Sequence, residues 1–160
     1  MAEPDYIGTI NRIISILKSD RMLGKMIKEF RFGELPEQTL AHERPACYVT
    51  LSQSPEMERV NISPTDNDRE AMQRIVTEYW IILISQPGGV PSDAQKEIYT
   101  LRSHVIRILK NNKKLKLKTR SGGTDPKCAA SMISSQSRLT AVSGKLVDSM
   151  TIMLRTVNFA

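Results

Sequence analysis

The 160-residue sequence contains few of the residue types on which catalytic, metal-binding and disulfide-rich proteins depend. It has two cysteines, two histidines and one tryptophan, and aromatic residues make up 5% of the chain. Cys47 and Cys128 lie far apart and form no CxxC motif, which favours a reduced protein over one with a single disulfide. No apolar run approaches the roughly 18 residues of a membrane-spanning helix, and the first residues are acidic rather than signal-like. We therefore expect a soluble protein made in the cytoplasm.

The common catalytic and cofactor-binding motifs are also missing from the sequence. There is no GxSxG, HExxH or DxDxDG segment, and His42 and His104 have no zinc-site spacing. The glycines at 88–89 and 122–123 lack the GxxxxGK[ST] order of a phosphate-binding loop, and Pro126 interrupts any helix after the second pair. We expect no enzyme activity, no cofactor and no metal.

Charge is distributed unevenly along the chain. The sequence has 23 Lys and Arg against 17 Asp and Glu, a formal net charge of +6. Residues 1–80 hold ten basic and thirteen acidic residues, a net charge of −3, whereas residues 81–160 hold thirteen and four, a net charge of +9. Halves of opposite sign can fold together, or they can present complementary surfaces to neighbouring copies in a head-to-tail ring.

The longest β-like run covers residues 74–86. Its apolar residues occupy both faces of an extended strand, which predicts burial on both sides, or on one side by a partner subunit. One face carries Val76, Trp80, Ile82 and Ile84, and the other carries Ile75, Tyr79, Ile81 and Leu83. A loop with Pro and Gly follows, and then a predicted helix from Ser92 to Asn111. Ser92 is the expected N-cap, with Gln95 at the capping-box spacing. The predicted helix has one continuous apolar stripe formed by Ala94, Ile98, Leu101, Val105 and Ile108.

Weaker patterns flank this centre. Residues 4–20 predict an amphipathic helix whose apolar stripe includes Ile7. Residues 30–45 predict a loop or arm, and residues 47–51 predict a strand that ends before Pro55. Residues 138–142 and 146–159 predict a terminal β-hairpin. With 40% apolar residues, the chain can fill one core and bury roughly 70% of its extended surface. We predict a single α+β domain over residues 1–160, with a mostly antiparallel sheet flanked by the N-terminal helix and the central amphipathic helix.

Two charged stretches are candidate interaction surfaces. The basic segment, residues 110–120, fits either a helix end followed by a lysine-protected edge strand or a surface for an acidic partner. Contact with DNA phosphates is the less favoured reading, because no aromatic residue lies between Tyr99 and Phe159 to stack on bases. An acidic loop or hairpin at 55–70 is the candidate opposite side of a subunit contact. The basic residues are Lys110, Lys113, Lys114, Lys116, Lys118 and Arg120; the acidic residues are Glu56, Glu58, Asp66, Asp68 and Glu70.

The order of these elements resembles the tail terminator, or tail completion, proteins of long-tailed bacteriophages and related viruses. The resemblance rests on residues 7–17, 44–51 and 79–84 with the downstream helix, and on residues 150–155 near the end. It implies a compact α+β subunit of a virion, usually assembled as a hexameric ring on the last ring of the tail tube. Such a ring stops tube growth and provides the surface for the neck of the capsid, so the implied partners are the tail tube protein and a neck or connector protein. DNA passes through the ring during ejection, without sequence-specific contact.

Two alternatives have different consequences. The chain could form another ring of the same junction, as a neck or head-completion protein. It could instead be a non-specific nucleic-acid-binding module that uses the lysines of the basic segment, in which case DNA binding should fall steeply with salt.

Overall fold

The computed structural model describes residues 5–33, 45–62, 72–85, 91–112, 115, 127–128, 133–140 and 146–159. Within these ranges the chain forms three helices and six strands. In chain order they are α1 (Tyr6–Ser19), α2 (Leu23–Met26), β1 (Glu29–Phe32), β2 (Ala46–Ile62), β3 (Met72–Ile84), α3 (Pro91–Asn111), β4 (Lys127–Cys128), β5 (Ile133–Thr140) and β6 (Leu146–Phe159). The chain has the predicted α+β class.

All six strands join one sheet, and β3 lies inside it. The strand order is β1-β2-β3-β6-β4, and β5 also pairs with β6. Every pairing is antiparallel except that of β1 with β2, which is parallel. Ile81 faces Val49 of β2 on one side and Ile152 of β6 on the other. The run chosen from the sequence as the centre of the domain is therefore an interior strand.

Apart from the half-buried Trp80, the apolar residues of β3 from Ile75 to Ile84 are buried on both faces, as the sequence predicted. Tyr79, Ile81 and Leu83 contribute to the large core beneath the helices, where Met150, Ile152 and Leu154 of β6 also lie. Ile82 and Ile84 point to the opposite face and cluster there with Ala46 and Tyr48 of β2. Burial on both faces explains why this strand reads as a nearly continuous apolar run rather than an alternating one.

The two long helices cover one face of the sheet. Asp5 caps α1, because its Oδ1 accepts a hydrogen bond of 2.9 Å from the Gly8 N–H. The α1 stripe is narrower than predicted: Ile7 is 65% exposed, on the side away from the sheet. The stripe of α3 is confirmed, since Ala94, Ile98, Leu101, Val105 and Ile108 are all buried. Helix α3 begins at Pro91, so Ser92 lies inside the helix and is not its N-cap.

Two segments differ from their predicted structure. The stretch 30–45 was predicted as a loop or arm, but Phe30 to Phe32 belong to β1, which pairs in parallel with Ala46 to Val49. The predicted strand 47–51 continues to Ile62, so the first part of the loop or hairpin predicted at 55–70, with Glu56 and Glu58, belongs to β2. The ladder tolerates Pro55 because its register shifts between Leu51 and Glu56, where a missing N–H breaks no regular pair.

The C-terminal hairpin is confirmed, with Thr140 of β5 opposite Leu146 of β6. Its first strand begins earlier than predicted, at Ile133. The predicted edge strand in the basic segment is tested at Leu115 only, since residues 113–114 and 116–120 lie outside the described ranges. Leu115 is in no strand, and its side chain is fully buried in the core with the helices.

Candidate assembly surface

The junction between α1 and α2 is held by Asp20, whose side chain and backbone both accept hydrogen bonds. Asp20 Oδ1 accepts from the N–H groups of Met22 and Leu23, each at 3.0 Å. The Asp20 carbonyl accepts from the Gly24 N–H at 2.8 Å. These bonds turn the chain out of α1 and begin α2 within a few residues. The Leu23 N–H lowers the pKa of this carboxyl, and Arg107 lowers it further.

Arg107 joins this junction to the outer side of α3. One of its guanidinium nitrogens lies 3.3 Å from each carboxylate oxygen of Asp20 and 3.2 Å from Nδ1 of His104. The Arg107 side chain is 46% exposed and that of Asp20 is 18% exposed, so the ion pair is at the surface and contributes modestly to stability. Its main consequence is geometric, because it fixes a cation of α3 against the end of α1.

A second contact holds the start of the basic segment. The Nε–H of Arg12 in α1 donates a 2.7 Å hydrogen bond to the carbonyl of Leu115, and the Leu115 side chain is buried beside α1. Leu115 of the basic segment is therefore held on the folded body of the domain, at α1.

The outer side of the C-terminal half of α3 forms an open groove, which we call the α3 basic groove. Three basic side chains line it, together with a hydroxyl, an amide and one aliphatic side chain. These residues are Arg102, Arg107 and Lys110 with Ser103, Asn111 and Ile106. Lys110 and Arg107 are exposed, whereas the apolar stripe of the same helix is buried. Sequence reasoning named Lys110 but missed Arg102 and Arg107, which precede the dense lysine run.

The predicted charged residues are placed only in part. Lys110 ends α3 on the surface, and the other basic residues, Lys113, Lys114, Lys116, Lys118 and Arg120, lie outside the described residues. On the acidic side, Glu56 is opposite Thr77 and Glu58 is opposite Val76 in the β2–β3 ladder. Asp66, Asp68 and Glu70 lie outside the described residues. The structure thus neither joins the two stretches nor separates them.

The core contains several buried polar groups that could carry chemistry in another setting. Cys47 is a free thiol, and complete burial raises its pKa to about 12, so the thiolate nucleophile does not form near neutral pH. Burial also raises the pKa of the Tyr79 phenol. The hydroxyls of Thr9 and Thr156 lie beside that phenol without meeting hydrogen-bond geometry.

The described residues give no metal centre and no membrane helix. Within the described ranges, no three Asp, Glu, His or Cys side chains form a group that could hold a metal ion. None of the helices in this part of the chain combines the length and hydropathy that crossing a membrane requires.

Comparison with known proteins finds a likeness at the level of the fold. No protein-family model matches the sequence, and no curated protein matches it either. Among solved structures, the fold is similar to that of a chain in the virion of a native gene transfer agent particle, with a TM-score of 0.53. The match covers 99% of this chain and 100% of that chain, at 13% sequence identity. The α+β arrangement is therefore shared over nearly the full length of both chains.

Proposed function

We propose that this chain is a structural protein of a phage-like virion. Within such a particle it would form a ring, with six copies, at the head-proximal end of the tail tube, where it ends tube growth and provides the surface for joining the neck and capsid. The observation that carries the proposal is the fold shared over nearly the full length of a virion chain. The resemblance of the sequence to tail terminators supports the specific position in the particle.

The sheet offers surfaces of the kind that a ring requires. A closed ring made of identical subunits needs two different, complementary surfaces on each copy. Strand β1 accompanies only Ala46 to Val49 of β2, and on the side of β2 away from β3 no described strand lies beside Thr50 to Ile62. The far side of the sheet ends at β5, which pairs with no described strand except β6. Strand edges with no described neighbour, on opposite sides of one sheet, support a heterologous contact between neighbouring copies.

Charge supports the same kind of contact. We propose that the acidic stretch that includes Glu56 and Glu58 meets the basic segment of a neighbouring copy. The partners above and below the ring would be the tail tube protein and a neck or connector protein, and DNA would pass through without sequence-specific contact. The role is structural, with no chemical reaction and no cofactor.

The proposal is tested first by the mass of the protein and then by its action on tubes. Light scattering over a concentration series is expected to show a discrete oligomer of about six copies, or a monomer that assembles as concentration rises. Purified tail tube protein of the same particle is then polymerised with and without this chain. Shorter tubes that carry the chain at one end in electron micrographs are the expected result. Decoration along the whole tube, or unchanged growth, contradicts a terminator role.

A neck or head-completion ring is the second candidate, because the same fold likeness to a virion chain supports it equally. The two positions differ in what the ring binds without help from other proteins. A terminator binds the end of a bare tail tube, whereas a head-completion ring binds DNA-filled heads that lack tails. Mixing the labelled chain with each particle separately, followed by sedimentation, distinguishes the two.

A further inference from the structure

The α3 basic groove lies in the longest part of the sequence without a carboxylate. From Ile98 to Thr124, a stretch of 27 residues, the chain contains eight Lys and Arg and no Asp or Glu. The described portion of this stretch places Arg102, Arg107 and Lys110 around one groove. A cation at the last turn of a helix is common because it complements the helix dipole. Arg102 and Ser103 lie two turns earlier, where the dipole gives no such reason for a positive charge.

The groove lining is rich in hydrogen-bond donors. Arginine and lysine side chains donate and cannot accept, and the side-chain NH2 of asparagine donates as well. Arg107 is held in place by Asp20 and His104, so part of the donor array is fixed before any ligand arrives. Asp20 is the carboxylate that pairs with Arg107 in this array. A fixed set of donors with excess positive charge suits repeated anionic oxygens.

The sequence that follows α3 adds further positive charge to the chain. Leu115 is anchored to α1 by the 2.7 Å hydrogen bond from Arg12, which brings the backbone back to the helical layer directly after Lys110. Lys114 and Lys116 flank that anchor in the sequence. The described groove itself contributes three cations to the local potential.

We propose that the α3 basic groove binds the phosphate backbone of duplex DNA without reading its sequence. Duplex DNA carries one negative charge per about 1.7 Å of its axis, so several cations along a helix can engage neighbouring phosphates at once. Base recognition is not part of the proposal, because no aromatic residue occurs between Tyr99 and Phe159 to stack on a base. The inference rests on the described groove and does not depend on the position of the chain in a virion.

The test measures binding of a fluorescent 30-base-pair duplex by anisotropy over a series of salt concentrations. We expect the affinity of the unaltered protein to fall steeply with salt, as release of counterions requires. The double variant Arg102→Gln with Lys110→Gln should bind about tenfold more weakly at low salt. Its slope of log affinity against log salt should be shallower by about two, one for each lost phosphate contact. Arg107 is left unchanged because it also supports the α1–α2 junction.

Lys96→Gln is the matched control. Lys96 is exposed on the same helix and outside the groove, and its loss changes the net charge by the same amount as one groove substitution. Fourteen residues separate it from Lys110, about 21 Å along a helix. We expect Lys96→Gln to bind duplex DNA nearly as well as the unaltered protein. Circular dichroism and light scattering on all three proteins check that fold and oligomeric mass are the same.

Four results would overturn the inference. The unaltered protein could fail to bind the duplex at 50 mM salt, or the double variant could bind as tightly as the unaltered protein. An equal loss for Lys96→Gln would show that net charge, and not the groove, controls binding. Competition by poly-glutamate as effective as competition by DNA would assign the groove to an acidic protein instead. None of these results bears on tube termination, which is measured with tail tube protein and no DNA.

Discussion

At the residue scale, Asp20 shows how one side chain can organise a junction between elements far apart in the sequence. It accepts two backbone N–H groups of the next turn and pairs with Arg107, 87 residues later. Hydrogen bonds from backbone N–H groups to a carboxylate are stronger than those between neutral groups. The loss of Asp20 therefore affects both the start of α2 and the contact between α1 and α3.

The first prediction concerns substitution of Asp20. Asp20→Ala removes the acceptor and the charge, and we expect it to lower the free energy of unfolding by about 1–2 kcal/mol. Asp20→Asn keeps an oxygen acceptor for the Met22 and Leu23 N–H groups, so its cost should be smaller. Urea unfolding at pH 7 measures both values. Equal stability of Asp20→Ala and the unaltered protein would contradict the organising role of this residue.

The dependence on pH gives a second readout for the same variants. Hydrogen bonds and Arg107 lower the pKa of Asp20 in the folded protein from its ordinary value of 3.8. A carboxyl with a lowered folded pKa stabilises the protein above its unfolded pKa and loses that contribution as pH falls through the folded pKa. The stability difference between the unaltered protein and Asp20→Asn should therefore narrow below about pH 4. A difference that is the same at pH 3 and pH 7 would exclude this charge effect.

The second prediction compares two buried threonines, Thr77 and Thr9, of which only Thr9 has a hydrogen-bond partner for its hydroxyl. Thr77 and Thr156 face each other across β3 and β6, and both are fully buried. The Thr77 hydroxyl finds no hydrogen-bond partner, whereas the Thr9 hydroxyl donates to the Asp5 carbonyl at 2.6 Å. Thr77→Val removes a buried polar group that has no partner, so we expect it to stabilise the fold by up to about 1 kcal/mol. Thr9→Val should destabilise it by about 0.5–1.5 kcal/mol.

Chemical unfolding of the two valine variants measures both changes on the same scale. The comparison controls for the general effect of replacing Thr by Val, because both sites are buried and the two side chains are similar in size. If both variants change stability in the same direction, hydrogen bonding of the hydroxyl does not decide the outcome.

At the element scale, the short helix α2 depends on a glycine. A Cβ built on Gly24 would lie 2.7 Å from the carbonyl oxygen of Lys18, a backbone atom that cannot move aside cheaply. The close approach lets α2 begin directly beneath the end of α1, so that Leu23 is fully buried in the core.

The third prediction is that Gly24→Ala destabilises the protein. Alanine is a better helix former than glycine by about 1 kcal/mol, so helix propensity alone predicts a gain. We expect the steric conflict to win and to lower the free energy of unfolding by about 1–3 kcal/mol. Lys25→Ala is the control, because Lys25 is exposed on the same helix and should change stability by less than about 0.5 kcal/mol. A stabilised Gly24→Ala variant would show that α2 shifts freely away from α1.

The hydrophobic periodicity of the sequence was enough to predict β3 and α3. The elements that were not predicted, β1 and the second half of β2, are extended because they pair with strands elsewhere in the sequence. The stripe of α3 and the two apolar faces of β3 follow from local spacing. Strand β1 has four residues, two of them exposed, and its main reason for being extended is the parallel partner β2. The second half of β2 reads as a loop because it contains Pro55 and acidic residues, and the ladder to β3 overrides that local preference.

The α3 basic groove was predictable only in part for the same reason. Lys110 belongs to a dense run of lysines and was named from the sequence. Arg107 lies on the polar side of a predictable helix, but its neighbour Asp20 is 87 residues away and no spacing rule connects the two. Leu115 was predicted in an edge strand because it alternates with lysines, yet it is an anchor in the core.

At the scale of the whole molecule, the opposite net charges of the two halves of the sequence bear on how neighbouring copies contact each other. The acidic residues Glu56 and Glu58 lie on β2, beyond the part that β1 accompanies. The α3 basic groove lies on the layer of helices that covers one face of the sheet. If neighbouring copies join through opposite charges, as we propose, then the contact should weaken when one sign is reversed and recover when both are.

The fourth prediction is a charge exchange between the two stretches. Replacing Lys113, Lys114 and Lys116 by Glu should convert the proposed ring into smaller species in light scattering at moderate salt, because like charges then face each other. Adding Glu56→Lys and Glu58→Lys to the same chain should restore at least part of the oligomeric mass. Arg102→Gln is the control and should keep the mass of the unaltered protein, since Arg102 lies outside the basic segment proposed for the subunit contact. An unchanged ring after reversal of the three lysines would reject charge pairing as the basis of the subunit contact, and the strand edges of β2 and β5 would then be the surfaces to alter next.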